Sequence, residues 1–163
     1  MSVHNKLYTG PDGELSPKHL ESIGPLLETQ VTITTALSKL MASKGDALPT
    51  PVAGWALIDT GASSTCVHEP VLRGLGLSPI GVASVGTAGG PVQQSRFAAR
   101  IFFPAENFNV EFTSVISADL TGQTPPARVG APAQPIIVLL GRDILRRCQL
   151  VYNGVGGFYT LSF

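Results

Sequence analysis

From Leu26 the chain reads Leu-Leu-Glu-Thr-Gln-Val-Thr-Ile-Thr-Thr, rich in β-branched residues and partly alternating, as a half-buried strand should be. The period changes at Ala36. Ala36, Leu37, Leu40 and Met41 take helical spacing and Gly45 supplies a stop, which predicts a short helix over 36–44. Asp46 to Pro51 is a Pro-containing linker into the apolar run Trp55-Ala56-Leu57-Ile58, which ends in Asp59-Thr60-Gly61. Upstream, Gly10, Pro11, Gly13, Pro17 and Gly24 interrupt polar residues without periodicity. Residues 1–25 are therefore expected to be a loosely ordered arm, and 26–163 the folded domain.

Val67 to Leu77 reads as a turn or short helix closing at Gly74 or Gly76. Ile80–Val85 and Val92–Phe103 read as strands flanking Gly86-Thr87-Ala88-Gly89-Gly90-Pro91, a hairpin whose tip lacks bulky side chains. A strand from Phe108 to Val115 or Ile116 follows the turn residues 104–107. Asp119 to Pro135, with four Pro and two Gly, is expected on the surface. Ile136–Leu140 is continuously apolar, the pattern of a strand buried on both faces, and Gly141-Arg142-Asp143 turns it into a short helix reaching about Arg147. Gln149–Tyr152 and Phe158–Phe163 close the chain as a second hairpin.

Composition narrows the class. A chain of 163 residues suits one domain, and 44% hydrophobic against 13% charged, with 18 Gly and 13 Pro, describes a turn-rich, mainly β protein. Lys+Arg and Asp+Glu are both 11, with no basic cluster beyond Arg146-Arg147, so no nucleic-acid partner is expected. The longest apolar run, Pro135–Leu140, is far below the roughly 18 residues that span a bilayer, and no basic-then-apolar leader opens the chain. The expectation is a cytoplasmic protein without a membrane partner. Cys66 and Cys148 are read as reduced thiols. Cys66 and His68 lack the rest of a ligand set, so no metal site is expected, and His4 and His19 are expected to be solvated in the arm.

The chemistry centres on Asp59. A turn-capping aspartate is the ordinary reading of Asp-Thr-Gly. Here the carboxylate leaves the core at the end of an apolar strand and meets small residues, Gly61-Ala62-Ser63-Ser64-Thr65, so it is rigidly held yet reachable. These residues resemble the active-site signature of retropepsins, the retroviral-type aspartic peptidases, in which an apolar strand leads to Asp-Thr/Ser-Gly-Ala/Ser. Ile137-Val-Leu-Leu-Gly141-Arg142-Asp143-Ile144-Leu145 is similar to the family's second motif, and Val85 to Gly90 has the place and composition of its flap. The resemblance covers about 26–163. Leu145-Arg146-Arg147 and the paired strands after it are similar to the retroviral-like domain of DNA-damage-inducible ubiquitin-shuttle proteins. The helix at 36–44 and the loop at 119–135 are insertions relative to the compact viral enzymes.

The resemblance implies a closed β-barrel with a short helix after Gly141, and an aspartic endopeptidase acting on peptides or proteins without cofactor or metal. With one Asp-Thr-Gly per chain, it implies a homodimer that pairs the two Asp59 carboxylates. Thr60 would hydrogen-bond across the dimer, Gly61 would leave room for the substrate backbone, and Ala62 and Ser63 would line the cleft. Gly86, Thr87, Ala88 and Gly89 would form the flap. Ile137 and Leu139 are implied pocket walls, with a plain core role equally open. Arg142 is expected to anchor the turn through a carboxylate such as Glu69, and Asp143 to be favourable charge at a helix start. Two alternatives stand beside this one: a catalytically silent dimer that binds peptides or scaffolds, and a latent enzyme in which residues 1–25 are removed or rearranged on activation.

Overall fold

The computed structural model describes residues 3–10, 12–87, 89–126 and 133–163. In chain order these form β1 (Val3–Leu7), α1 (Pro17–Ile23), β2 (Leu26–Thr32), α2 (Thr35–Lys44), β3 (Val52–Ile58) and β4 (Cys66–His68). Then follow α3 (Glu69–Gly74), β5 (Gly81–Thr87), β6 (Gly90–Phe103), β7 (Phe108–Ala118), β8 (Ile136–Leu140), α4 (Arg142–Leu145), β9 (Gln149–Asn153) and β10 (Phe158–Ser162). The mainly β class, the helix before Gly45 and the short helix after Gly141 all follow the sequence pattern. Thr34 caps α2 by accepting the Leu37 amide, and Gly45 ends it in the left-handed conformation at φ 75°.

Six strands close into a barrel. The order β2-β3-β8-β4-β7-β6 returns on itself because β6 also pairs with β2, Val31 standing opposite Ile101. Closure satisfies backbone groups that an open sheet would leave at its edges. Inside, β6 shows period two without interruption: Phe97, Ala99, Ile101 and Phe103 are fully buried, against Val31, Ala56, Val67, Val138 and Leu140. Beyond the barrel β6 runs on as a hairpin with β5.

One crossing positions the site. β3 and β4 are successive strands but do not pair with each other; β8 lies between them, parallel to β3 and antiparallel to β4. The segment 59–65 that joins β3 to β4 must therefore arch over the C-terminal end of β8, where Gly141 emerges.

The N-terminal region departs from the expected loose arm. β1 pairs antiparallel with β10, which pairs with β9, and α1 buries Leu20 completely. Tyr8, 5% exposed, donates its hydroxyl to Gly24 O (2.7 Å) and accepts from the Leu26 amide (2.9 Å). β1 is too short to display a period, and its partner lies at the other end of the chain, so no local pattern announced it. His4 is correspondingly not solvated. It is half-buried beside the Tyr159 ring and paired with the buried Glu106. Desolvation lowers its pKa, and Glu106 opposes that shift. His19 Nδ1 meets Thr9 O at 2.8 Å. Cys66 and Cys148 are free thiols. Among the described residues no helix is long and apolar enough to cross a membrane.

Candidate active site

Asp59 sits one step beyond β3 and continues its ladder, its amide donating to Leu140 O at 3.0 Å. The chain then turns tightly, with the Ala62 amide reaching Asp59 O at 3.2 Å. Asp59 Oδ1 accepts from the amides of Gly61 (2.8 Å) and Ala62 (3.2 Å). Among the described residues no hydrogen bond reaches Oδ2, so backbone amides fix one carboxylate oxygen only. A Cβ on Gly61 would stand 3.0 Å from Oδ1. Thr60, Gly61 and Ser63 are exposed, while Asp59 and Ala62 are half-buried.

Residues 141–143 hold this turn from below. A Cβ on Gly141 would lie 2.5 Å from the Ser64 carbonyl carbon and 2.7 Å from the Thr65 amide nitrogen, so only glycine lets the two backbones meet. The Gly141 amide donates to Thr65 Oγ1 (3.1 Å). Thr65 in turn donates its amide to Asp143 Oδ2 (2.9 Å) and its hydroxyl to Asp143 Oδ1 (2.7 Å). Asp143, in the first turn of α4, also accepts from the Ile144 amide (2.9 Å), and its tie to the arch is one that the sequence did not suggest.

Arg142 does anchor the turn, but not through Glu69. Its Nη1 donates to Thr60 O (2.7 Å) and Gly61 O (2.9 Å), and its amide donates to Ala62 O (3.0 Å). Glu69 is taken by Arg73, one helical turn further along α3, at 2.8 Å to Nε and 2.7 Å to Nη2. The Ser117 hydroxyl, donating to Glu69 at 2.8 Å, and then Arg73 hold its carboxyl below the ordinary range.

The two implied pocket walls separate. Ile137, 1% exposed, belongs to the barrel core, where its side chain closes on Gly54. Leu139 instead stands in register with Leu57 on β3. Leu57 is two residues before Asp59 and so shares its face of the strand. Leu57, Leu139 and Trp55 pack on buried Leu26, Leu120 and Ile136 in an apolar cluster distinct from the barrel core. Trp55, Leu57 and Leu120 escaped the sequence reading, although strand parity from Asp59 points to the first two. Cys66, opposite Leu139, has its thiol pushed up to about 11 by burial, then by the carboxylates of Asp143 and Asp59.

Gly86, Thr87 and Gly89 lie exposed at the tip of the β5–β6 hairpin, and Ala88 falls outside the described residues. The tip closes on itself: Thr87 Oγ1 donates to Gly90 O (2.7 Å) and accepts from the Gly89 amide (3.2 Å). No hydrogen bond among the described residues joins it to the Asp59 turn. A groove of about 490 Å³ lies elsewhere, between α3, Gln94 of β6 and Ala118–Thr121. None of its lining residues belongs to the Asp59 turn. No group of three or more potential metal ligands occurs among the described residues.

Compared with known proteins, residues 44–144 match a family described as aspartyl protease. No curated protein matches the chain. Among solved structures it is similar to the simian foamy virus (mac) protease, determined in solution, at 20% identity over 75% of this chain and 92% of that one, with a TM-score of 0.41. It is also similar to a retropepsin-like aspartic protease from Rickettsia conorii, a crystal structure, at 13% identity over 98% of this chain and 90% of that one, with a TM-score of 0.46.

Proposed function

The chain belongs to the aspartyl protease family, and from that premise we propose that it is a homodimeric endopeptidase in which the Asp59 carboxylates of two copies share one water. The observation that supports this most is the half-committed carboxylate. Asp59 Oδ1 is fixed by two backbone amides, Oδ2 is open, and the turn that carries them is tied down by Arg142 and Thr65. One such group cannot serve as both acid and base, and each chain supplies only one Asp-Thr-Gly.

Two carboxylates brought together across a two-fold axis repel when both are charged, so the pair holds one proton between them. The ionised member takes a proton from the water as its oxygen attacks the scissile carbonyl, and the neutral member protonates the carbonyl oxygen. The tetrahedral diol then collapses. A proton goes to the leaving nitrogen, the C–N bond breaks, and a carboxyl and an amine are released. Activity is highest at mildly acidic pH, where one proton resides on the pair.

In this reading Thr60 hydrogen-bonds across the axis, and Gly61, Ala62 and Ser63 line the floor under an extended peptide. Gly86, Thr87, Ala88 and Gly89 close over it as the flap. Leu57 and Leu139, on the face of Asp59, receive apolar side chains next to the scissile bond. Arg142 positions the turn.

The test is hydrolysis of a mixed peptide library between pH 4 and 7 by wild type and Asp59→Asn, read by mass spectrometry. Cleavage by wild type alone is expected, and equal cleavage by both would remove Asp59 from the chemistry. A wild type that binds peptides in this range but cuts none is instead the silent binding module. Adding excess Asp59→Asn subunits to wild type should lower activity through mixed dimers; undiminished activity would show that the site is not shared.

A further inference from the structure

Three neighbouring barrel strands, β2, β6 and β7, turn polar side chains outward at one place. Phe97, Ala99, Ile101 and Phe103 of β6 are buried in the core, so Arg100 and Phe102 between them face away from it. On β2, Thr32 stands opposite Arg100 and Gln30 opposite Phe102; on β7, Asn109 stands opposite Phe102. Together with Pro51, which precedes β3, these residues line a groove of about 250 Å³. Arg100 is the one charged residue among them, and none is acidic.

The guanidinium is only partly engaged. Its Nε is buried without a partner, Nη1 makes a single long bond of 3.4 Å to Thr35 Oγ1, and among the described residues no hydrogen bond or ion pair engages Nη2. Glu111, opposite Arg100 on β7, does not neutralise it directly: the Glu111 oxygens accept the Thr35 amide (3.1 Å) and hydroxyl (2.7 Å) at the start of α2. Burial of Nε closes the side of the fork. An anion therefore meets Arg100 through its two Nη groups, a planar pair that matches the two oxygens of a carboxylate.

We infer that this groove binds the C-terminal carboxylate of a peptide. One guanidinium suits one negative charge. Gln30 and Asn109 flank it with carboxamides, which both donate to a carboxylate and accept from the amide of the terminal residue. Phe102 and Pro51 give that residue's side chain an apolar wall. A groove of about 250 Å³ suits a chain end better than an acidic side chain with peptide running on both sides of it. Pro51 and Asp59 bracket β3 and stand roughly 26 Å apart at about 3.3 Å per residue. The groove thus holds a chain end whether or not Asp59 cleaves anything, and it stands apart from the peptidase reading.

The experiment titrates the full chain, labelled with nitrogen-15, at pH 7 with acetyl-Ala-Leu carrying a free carboxylate. The amide signals of Gln30, Thr32, Arg100, Phe102 and Asn109 should shift together and saturate with a Kd of about 1 mM. Acetyl-Ala-Leu-amide, which lacks the charge, should bind at least tenfold more weakly. Arg100→Gln should weaken binding of the acid at least tenfold, and Arg100→Lys, which keeps the charge but not the fork, should weaken it as well. A second route does not depend on those variants: Asn109→Asp, at an exposed position, puts a carboxylate in the groove and should abolish binding. Equal binding of acid and amide, undiminished binding by Arg100→Gln or Asn109→Asp, or the absence of any saturable shift overturns the site. Acetyl-Glu-methylamide binding as tightly as acetyl-Ala-Leu overturns the chain-end assignment, and sodium acetate binding as tightly overturns recognition of a peptide. None of these arms reads hydrolysis, so their failure leaves the role of Asp59 untouched.

Discussion

Gly141→Ala adds one methyl group where the arch 59–65 crosses β8. The backbone at Gly141 has φ −87°, which alanine adopts freely, so the perturbation is steric and not conformational. The new Cβ would stand 2.5 Å from the Ser64 carbonyl carbon, whereas ordinary contact begins at 3.4 Å, so the two backbones must part by about 0.9 Å. That opening stretches the 3.1 Å bond from the Gly141 amide to Thr65 Oγ1 beyond useful length. Thr65 is 1% exposed, so no water replaces the lost partner. Overpacking costs about 1–3 kcal/mol and the orphaned polar group about 1–3 kcal/mol. The reduced freedom of the unfolded chain returns about 0.4–1 kcal/mol. A net destabilisation of about 1–5.6 kcal/mol follows. Urea unfolding at fixed protein concentration, followed by the single Trp55, measures it as a shift in midpoint at constant slope. Gly74→Ala is the control: nothing lies within 4 Å of its Cβ, and in α3 the change should be neutral or stabilising by up to about 1 kcal/mol. A Gly141→Ala protein within about 0.5 kcal/mol of wild type, the spread of ordinary surface changes, would refute the account. Because the displaced atoms belong to the Asp59 turn, turnover should also fall by on the order of 100-fold.

Arg142→Ala removes two charge-assisted bonds to the carbonyls of Thr60 and Gly61 at an exposed position, so stability should drop by no more than about 1 kcal/mol while kcat falls about tenfold. Unchanged kcat would relieve Arg142 of its positioning role. With its thiol pushed up to about 11, Cys66 should react with iodoacetamide at pH 8 roughly 100-fold more slowly than an ordinary thiol and recover in urea; equal rates in the folded and unfolded protein would contradict the burial. The folded pKa of Glu69 is lowered by Ser117 and Arg73, so its contribution is present above the unfolded value and is lost as pH falls through the folded one. Tm of wild type should therefore decline more steeply between pH 5 and 3 than that of Glu69→Gln, and parallel curves would argue against the pairing.

What could be read from the sequence was what neighbouring residues decide among themselves. The strand over Val92–Phe103, the Gly45 stop of α2 and the tight turn at Asp59 are local, and each was visible as a pattern. Partner choice was not. Arg142 faces the carbonyls of Thr60 and Gly61 because β8 passes under the arch, a fact of strand order that no stretch of sequence contains, while Glu69 was captured by Arg73 four residues away. The N-terminal segment was misread for the same reason. Its order comes from β10 at the far end of the chain and from the hydroxyls of Tyr8 and Tyr159, which grip Gly24 and Leu26. Between those two residues the Pro25 carbonyl takes the amide of Ile58, the residue before Asp59. The segment that looked most dispensable thus supports the backbone of the strand that ends at Asp59. Its removal should loosen the Asp59 turn and not unmask it, so a protein trimmed after residue 25 should lose both stability and peptidase activity; full activity after trimming would restore the reading of a removable extension.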